Sequence, residues 1–270
     1  MTCRFKASQN RLALLFSKFN FMKNSYNFIF CVILFTAFNS HIKSQNPDSL
    51  RIEKALLLMK AAQEEYVKIK DYQAKIVSTE RVDGKTRETE YILTRYMRPG
   101  LIYLVWQPGP YEGMQAVYDP LRDKPNTFRA KETGLRGVIG AKSWNNTDKL
   151  IKILYPHNFT IHQTSLAYFF ETMQTIVKKG LAINKLTVVS IDELTDNYTK
   201  RPATSVLVKL ASNPKDGLMW SKVQLFFDKE HKLPLHFILY DFSGNKLAES
   251  AFTNFRKNTG LTSKDFEIVD

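Results

Sequence analysis

Between residues 186 and 255 the chain passes through five strand-forming segments of about nine residues each, approximately Leu186 to Leu194, Ala203 to Ala211, Met219 to Phe227, Leu233 to Asp241 and Leu247 to Phe255. The connections between them are short. Parallel neighbours would need a crossover of about a dozen residues or more, so these strands are expected to pair antiparallel with one another. That commits the C-terminal half of the chain to an antiparallel sheet.

The N-terminal half repeats the pattern less regularly. Asp83 and Gly84 form a two-residue hairpin signal, because both positions tolerate the positive φ of a tight turn. With Val82 and Lys85 flanking that turn, Ile76 lies opposite Tyr91, Ala74 opposite Leu93 and Glu80 opposite Arg87 on one side, while Lys75, Thr79, Arg81, Glu88 and Glu90 take the other. Further strands are expected at Leu101 to Gln107, Met114 to Tyr118 and Thr127 to Lys131, separated by proline and glycine. The stretch from Thr133 to Thr147 has no strong period and is read as a loop or flap.

Two helices accompany the strands. From Asp48 to Ile69, Ile52, Ala55, Met59, Ala62, Tyr66 and Ile69 recur at three and four residues and make one apolar stripe. After a short helix from Asp148 to Leu154, a second long one is expected from Thr160 to Lys179. There Gln163 completes a capping box and Gly180 closes the helix.

Residues 1–44 read as a secretory signal peptide. Arg4, Lys6, Arg11, Lys18, Lys23 and Lys43 stand without an acid, and the apolar run Phe28 to Phe38 holds about eleven residues, short of the roughly twenty needed to cross a bilayer. Met22 is a second candidate start. Residues 45–270 then form a single domain of about 225 residues. Cys3 and Cys31 leave with the leader, so the mature chain has no thiol. Losing the six basic residues reduces 39 basic against 26 acidic residues to 33 against 26, a formal charge of +7 rather than +13. The charges are interspersed, which argues against nucleic-acid binding and leaves peripheral contact with an anionic membrane open.

Catalytic signatures are absent from the sequence. His157, His162, His231 and His236 form two pairs five residues apart, a spacing that does not place two metal ligands on one helical face. There is no Gly-x-Ser-x-Gly elbow, and Gly134, Gly137 and Gly140 lack the spacing and following lysine of a phosphate loop. No catalytic residue, metal or cofactor is therefore assigned.

What remains is an excess of apolar and aromatic side chains on predicted strands and on the second helix. The candidates for an apolar ligand cavity are Ile76, Tyr91, Leu93, Tyr103, Trp106 and Tyr118 in the first strand group. Phe169, Phe170 and Met173 join them from the helix, and Val223, Leu225, Phe227, Phe237 and Leu239 from the second strand group. Such residues either fill an ordinary core or line a pocket. Arg95, Arg98 and Gln115 are candidates for a polar rim that receives an acidic head; alternatively they pair with Glu80 or Glu112 or cover the aromatics with their stems.

Glu80 and Arg81, then Asp83, Gly84 and Lys85, then Arg98 and Pro99 with Tyr103 and Trp106, then Pro110 with Gly113, Gln115 and Tyr118 together resemble the bacterial domain-of-unknown-function family numbered 1571 over roughly Tyr66 to Gly180. That family is similar in fold to the periplasmic lipoprotein-carrier (LolA-like) superfamily. The resemblance implies a strongly curved antiparallel half-barrel, closed by helices around a cavity that shelters lipid moieties. The combined expectation is an α+β, mostly β protein of about ten strands with helices on the concave side. It is exported to the periplasm, is not an enzyme, and binds a lipid or lipoprotein acyl chain. The rival expectation is an envelope sensor or protein-interaction module with a filled core and a protein partner.

Overall fold

The computed structural model describes residues 47–269 apart from 125, 146, 156, 211 and 212. The expected leader and both cysteines lie outside the described residues. Residues Leu50–Asp270 form one compact unit.

Helix α1 (Pro47–Val67) opens the fold. Proline suits a first helical turn, where its missing N–H would have no partner, and Asp48 complements the dipole there. An N-terminal meander follows: β1 (Asp71–Val82), β2 (Lys85–Thr86), β3 (Glu90–Met97), β4 (Leu101–Trp106), β5 (Gln115–Tyr118), β6 (Thr127–Lys131) and β7 (Lys142–Asn145). A helical insertion holds α2 (Lys149–Leu154) and α3 (Leu166–Ala182). The C-terminal meander is β8 (Thr187–Thr195), β9 (Pro202–Lys209), β10 (Lys222–Asp228), β11 (Pro234–Tyr240) and β12 (Lys246–Lys257).

All strand pairs are antiparallel, in the order β7-β6-β5-β4-β3-β1-β12-β11-β10-β9-β8, with β2 paired to β1 alone. The two meanders join where β1 meets β12, the first and last strands, with Ile76 opposite Phe252 and Glu80 opposite Ala248. The sheet ends at β7 and β8 without closing, which makes it a curved half-barrel.

One face of the sheet carries the main core. Ile76, Ile92, Leu104, Leu225, Leu239 and Phe252 pack there with Ala62 and Tyr66 of α1 and Phe169, Phe170, Met173 and Ile176 of α3. Burying each large apolar side chain contributes about 1.5–3 kcal/mol, which holds the sheet without a disulfide. Tyr72 ties the layers together: its ring stacks on Tyr96 at 4.9 Å, and its hydroxyl accepts the backbone N–H of Leu166 at 3.2 Å. The other face has a small core of Tyr103, Val117 and Phe266, covered by the C-terminal tail. Asp71 holds that tail by accepting the backbone N–H of Thr259 at 2.6 Å.

Several local expectations change. The turn at Asp83 and Gly84 forms, with Val82 paired to Lys85. Beyond it the register slips by one, so that Ile76 pairs with Ile92 and Val77 with Tyr91. Residues 87–89 stand outside the strands and take up the extra residue. A slip of one reverses every side chain, which is why Tyr91 and Leu93 lie on the outer face, 38% and 45% exposed.

The capping box of Thr160 and Gln163 forms around a 3-10 turn, Ile161–Thr164, and Ser165 then caps α3 by accepting the N–H of Tyr168. Gly180 does not end that helix. A Cβ there would stand 3.2 Å from Leu186 Cβ, so its glycine serves close packing. The stretch read as a flap holds a 3-10 turn (Gly134–Ile139) and the edge strand β7, in which Trp144 pairs with Phe128. The strand is exposed at Lys142, Ser143 and Asn145 and half-buried only at Trp144, so it lacks the buried face that would show as alternation in the sequence.

Candidate functional site

A cavity of about 620 Å³ lies between the sheet and the helical insertion. Ile76, Ile92, Leu104, Trp106, Phe128, Leu239 and Phe252 form its sheet wall, and Ile151, Phe159, Ile161, Phe169 and Met173 its roof. Alternation along each strand aims every second side chain inward, which is how residues remote in sequence share one wall. Phe169 stacks on Phe237 at 5.3 Å, linking α3 to β11. The exposed wall residues Asp83, Asn126, Thr147 and Asn158 mark its mouth.

A polar cluster interrupts the apolar wall. Glu90, almost fully buried, accepts the Trp106 indole N–H at 2.8 Å. Glu80 accepts the backbone N–H of Asn158 at 2.7 Å. The His157 ring lies between them, with Nδ1 3.6 Å from Glu80 and Nε2 3.6 Å from Glu90. Burial raises the pKa of Glu90 against the opposing pull of His157 and Trp106. Burial alone would lower His157, but the two carboxylates outweigh it and raise its pKa. Ser78 and Ser250, also in the wall, hydrogen-bond to each other at 2.9 Å.

Six of the sequence-selected cavity residues meet here: Ile76, Trp106, Phe169, Met173, Phe237 and Leu239. Val223, Leu225 and Phe227 line a separate space of about 50 Å³ beneath α1, too small for a ligand. Phe170 stacks on Tyr66 at 4.8 Å under the same helix. Tyr118 packs at the edge of the main core beside His162, 5.6 Å between ring centres. Tyr91, Leu93 and Tyr103 belong to the outer face, the first two by the register slip and Tyr103 by the alternation that sends Leu104 inward.

None of the expected rim residues reaches the cavity wall. Arg95 donates to the Asp265 carbonyl at 2.7 Å and lies over the Tyr103 ring on the outer face. Gln115 accepts the Tyr103 hydroxyl and bonds both the N–H and the carbonyl of Val269. Arg98 donates to the carbonyls of Tyr66 and Ile69 and covers the Tyr66 ring, which places a cation at the C-terminal end of α1. Their side chains follow strand alternation and the helix end, not proximity in sequence to Trp106.

On the outer face an open groove of about 590 Å³ is lined by Leu93 and Tyr103 together with Lys75, Arg95, Arg201 and Arg256. Its walls hold no Asp or Glu among the described residues. Nearby in the C-terminal meander, His236 is buried with Nδ1 2.5 Å from Asp196 and Nε2 3.2 Å from Glu249, and it stacks on Phe226 at 4.1 Å. Burial would lower its pKa, but the hydrogen bonds to Asp196 and Glu249 raise it. Among the described residues no group of three or more His, Cys, Asp or Glu is arranged to hold a metal. No helix among them is long and apolar enough to cross a membrane.

Sequence reasoning missed Glu80, Glu90 and His157 as cavity groups, and missed Ile92, Leu104, Phe128 and Phe252 in its wall. Ile92 and Leu104 were legible only with the true register of β3. His157 follows a proline in an irregular segment, where no periodicity announces a direction.

An open antiparallel half-barrel, with one face roofed by helices over an apolar cavity, defines a cavity-bearing half-barrel protein. The chain belongs to the family described as Protein of unknown function (DUF1571), which matches residues 69–269. The comparison with curated proteins finds no match. Among solved structures, an uncharacterized conserved protein from Thermus thermophilus is 14% identical, with 80% of this chain and 94% of that chain covered and a TM-score of 0.43. A LolA superfamily protein from Nitrosomonas europaea is 9% identical, with 79% and 97% covered and a TM-score of 0.36. The Mycobacterium tuberculosis lipoprotein LppX is 7% identical, with 77% and 96% covered and a TM-score of 0.43. At that level of likeness no property of those proteins transfers to this chain.

Proposed function

We propose that this protein is an exported, non-catalytic binder of a lipid or of the acyl chain of a modified protein in the cell envelope, held in the cavity beneath the helical insertion. One observation carries the reading: a space of about 620 Å³ in which about half of the lining residues are Ile, Leu, Met, Phe or Trp. Ligand sites span about 300–1,000 Å³, and each sheltered methylene contributes about 0.8 kcal/mol. The leader-like residues 1–44 supply the route to the envelope. Purification under mild conditions followed by mass spectrometry tests the reading. The expected result is a copurifying lipid together with saturable binding of an acyl probe; a protein that carries no lipid and ignores such probes overturns it.

A second reading, a surface that engages a protein partner in the envelope, is favoured by the groove bearing Lys75, Arg95, Arg201 and Arg256. It predicts that crosslinking from Lys75 captures an acidic partner and that Arg95→Glu abolishes the capture without affecting acyl binding.

A further inference from the structure

We propose that the cavity selects amphiphiles whose head donates hydrogen bonds, an amine or a hydroxyl, and rejects those headed by carboxylate or phosphate. This rests on the reading of the cavity as an acyl site.

The argument begins with the charges in the wall. Glu80, Asp83 and Glu90 line the cavity, and among the described residues its wall contains no Lys or Arg. In a chain with 39 basic against 26 acidic residues, that is a segregation of charge. The basic side chains gather instead around the groove on the opposite face of the sheet, whose described walls hold no acid. An acidic head, the expectation from Arg95 and Arg98, would find neither of them here.

The carboxylates are also placed to accept. One oxygen of each is occupied, Oε2 of Glu80 by the Asn158 N–H and Oε2 of Glu90 by the Trp106 indole. The Oε1 atoms of both stand 3.6 Å from His157, beyond hydrogen-bond range. Each keeps acceptor capacity, and an ionised carboxylate has no proton to offer an anionic head. Two further groups act on this site. Arg87, from the segment between β2 and β3, donates to the Tyr111 hydroxyl at 2.9 Å; it does not line the cavity, but its charge acts on Glu90 and His157 from behind the wall. Asp83, at the mouth, adds negative charge.

The balance of forces excludes an anion. Among the residues of the wall, His157 brings at most one positive charge to two carboxylates, so a carboxylate or phosphate head would be set directly against two like charges. An ammonium or hydroxyl head instead supplies closer donors to the two Oε1 atoms, whose ion-pair contacts with His157 are long at 3.6 Å.

The test is displacement of the neutral probe N-phenyl-1-naphthylamine from the full mature chain at pH 7. Hexadecylamine, hexadecanol and hexadecanoate are compared below their aggregation concentrations. The expected result is that the amine and the alcohol displace the probe at concentrations at least about tenfold lower than hexadecanoate. In Glu80→Gln/Glu90→Gln, whose amides still accept from Asn158 and Trp106, that gap narrows to less than about threefold once each displacement is corrected for the variant's own affinity for the probe. Glu80→Gln alone gives a partial narrowing and serves if the double variant does not fold. Equal or better displacement by hexadecanoate overturns the head-group assignment and leaves the acyl site standing, and a gap that survives in the variants overturns the role of the two carboxylates. Failure of the probe and all three amphiphiles to bind overturns the acyl site itself, and this proposal with it.

Discussion

Glu90 and Trp106 meet across the ladder of β3 and β4, the indole N–H donating to the carboxylate at 2.8 Å within the cavity wall. An aromatic that would otherwise serve only as apolar lining thereby holds a nearly buried acid in place. Removing the donor leaves the acceptor without its partner, and hydrogen bonds to charged groups contribute about 1.5–3 kcal/mol. Trp106→Phe is therefore expected to lower the unfolding free energy by about 1.5–3 kcal/mol. Urea denaturation with an unchanged slope checks this; a loss within about 0.5 kcal/mol would show that the pair carries no weight.

Filling the cavity separates binding from folding. Met173 borders both the large cavity and the small space beneath α1, so a larger side chain there has room on either side. Met173→Trp should cost no more than about 3 kcal/mol of stability, while acyl-probe affinity falls by more than about tenfold. Unimpaired probe binding in a folded variant would place the ligand elsewhere.

His236 makes stability fall toward alkaline pH. Its folded pKa lies above the ordinary value of about 6.5 because Asp196 and Glu249 outweigh the opposing effect of burial. Its contribution is fully present below about pH 6.5 and is lost as pH rises through the raised value. Unfolding free energies measured from pH 6 to 9 should decline, and His236→Asn should reduce that decline. His157, raised in the same direction, is expected to leave a residual slope. A full slope in the variant would refute the assignment.

Asp196 governs the acid side. Burial would raise its pKa, but hydrogen bonds from His236 and Thr199 bring it down to about 2. Its contribution is present above the ordinary value of about 3.9 and is lost as pH falls through about 2. Acid titration of unfolding should show this step in the wild type, and Asp196→Asn should remove it.

Arg98 acts at the end of a helix. Its donations to the Tyr66 and Ile69 carbonyls terminate α1. Arg98→Ala is expected to destabilise the fold by about 1–2 kcal/mol and to speed amide exchange in the last turn of α1, with acyl-probe affinity within about twofold of wild type. A large loss of binding without faster exchange would return Arg98 to the rim of the site.

How far the sequence reaches can be seen strand by strand. Thr127 to Lys131 is predicted and observed with the same bounds, and Leu101 and Tyr118 begin and end their strands as their flanking prolines and glycines indicate. Asp83 and Gly84 mark a real turn, yet the strand after it lies one residue out of the register that the turn alone implies. The capping box at Thr160 specifies the first turn, not how the turn continues.

Local pattern alone determined that this chain is an antiparallel sheet protein with two long helices, because alternation, turn residues and helix stripes act over a few residues and are written where they act. Tertiary structure alone decided that β1 pairs with β12, that Arg95 and Gln115 serve the outer face, and that Glu80, Glu90 and His157 converge on the cavity. The reason is physical. A side chain's direction depends on strand register, and a slip of one residue, which costs little in composition, reverses which face of the sheet every later residue meets.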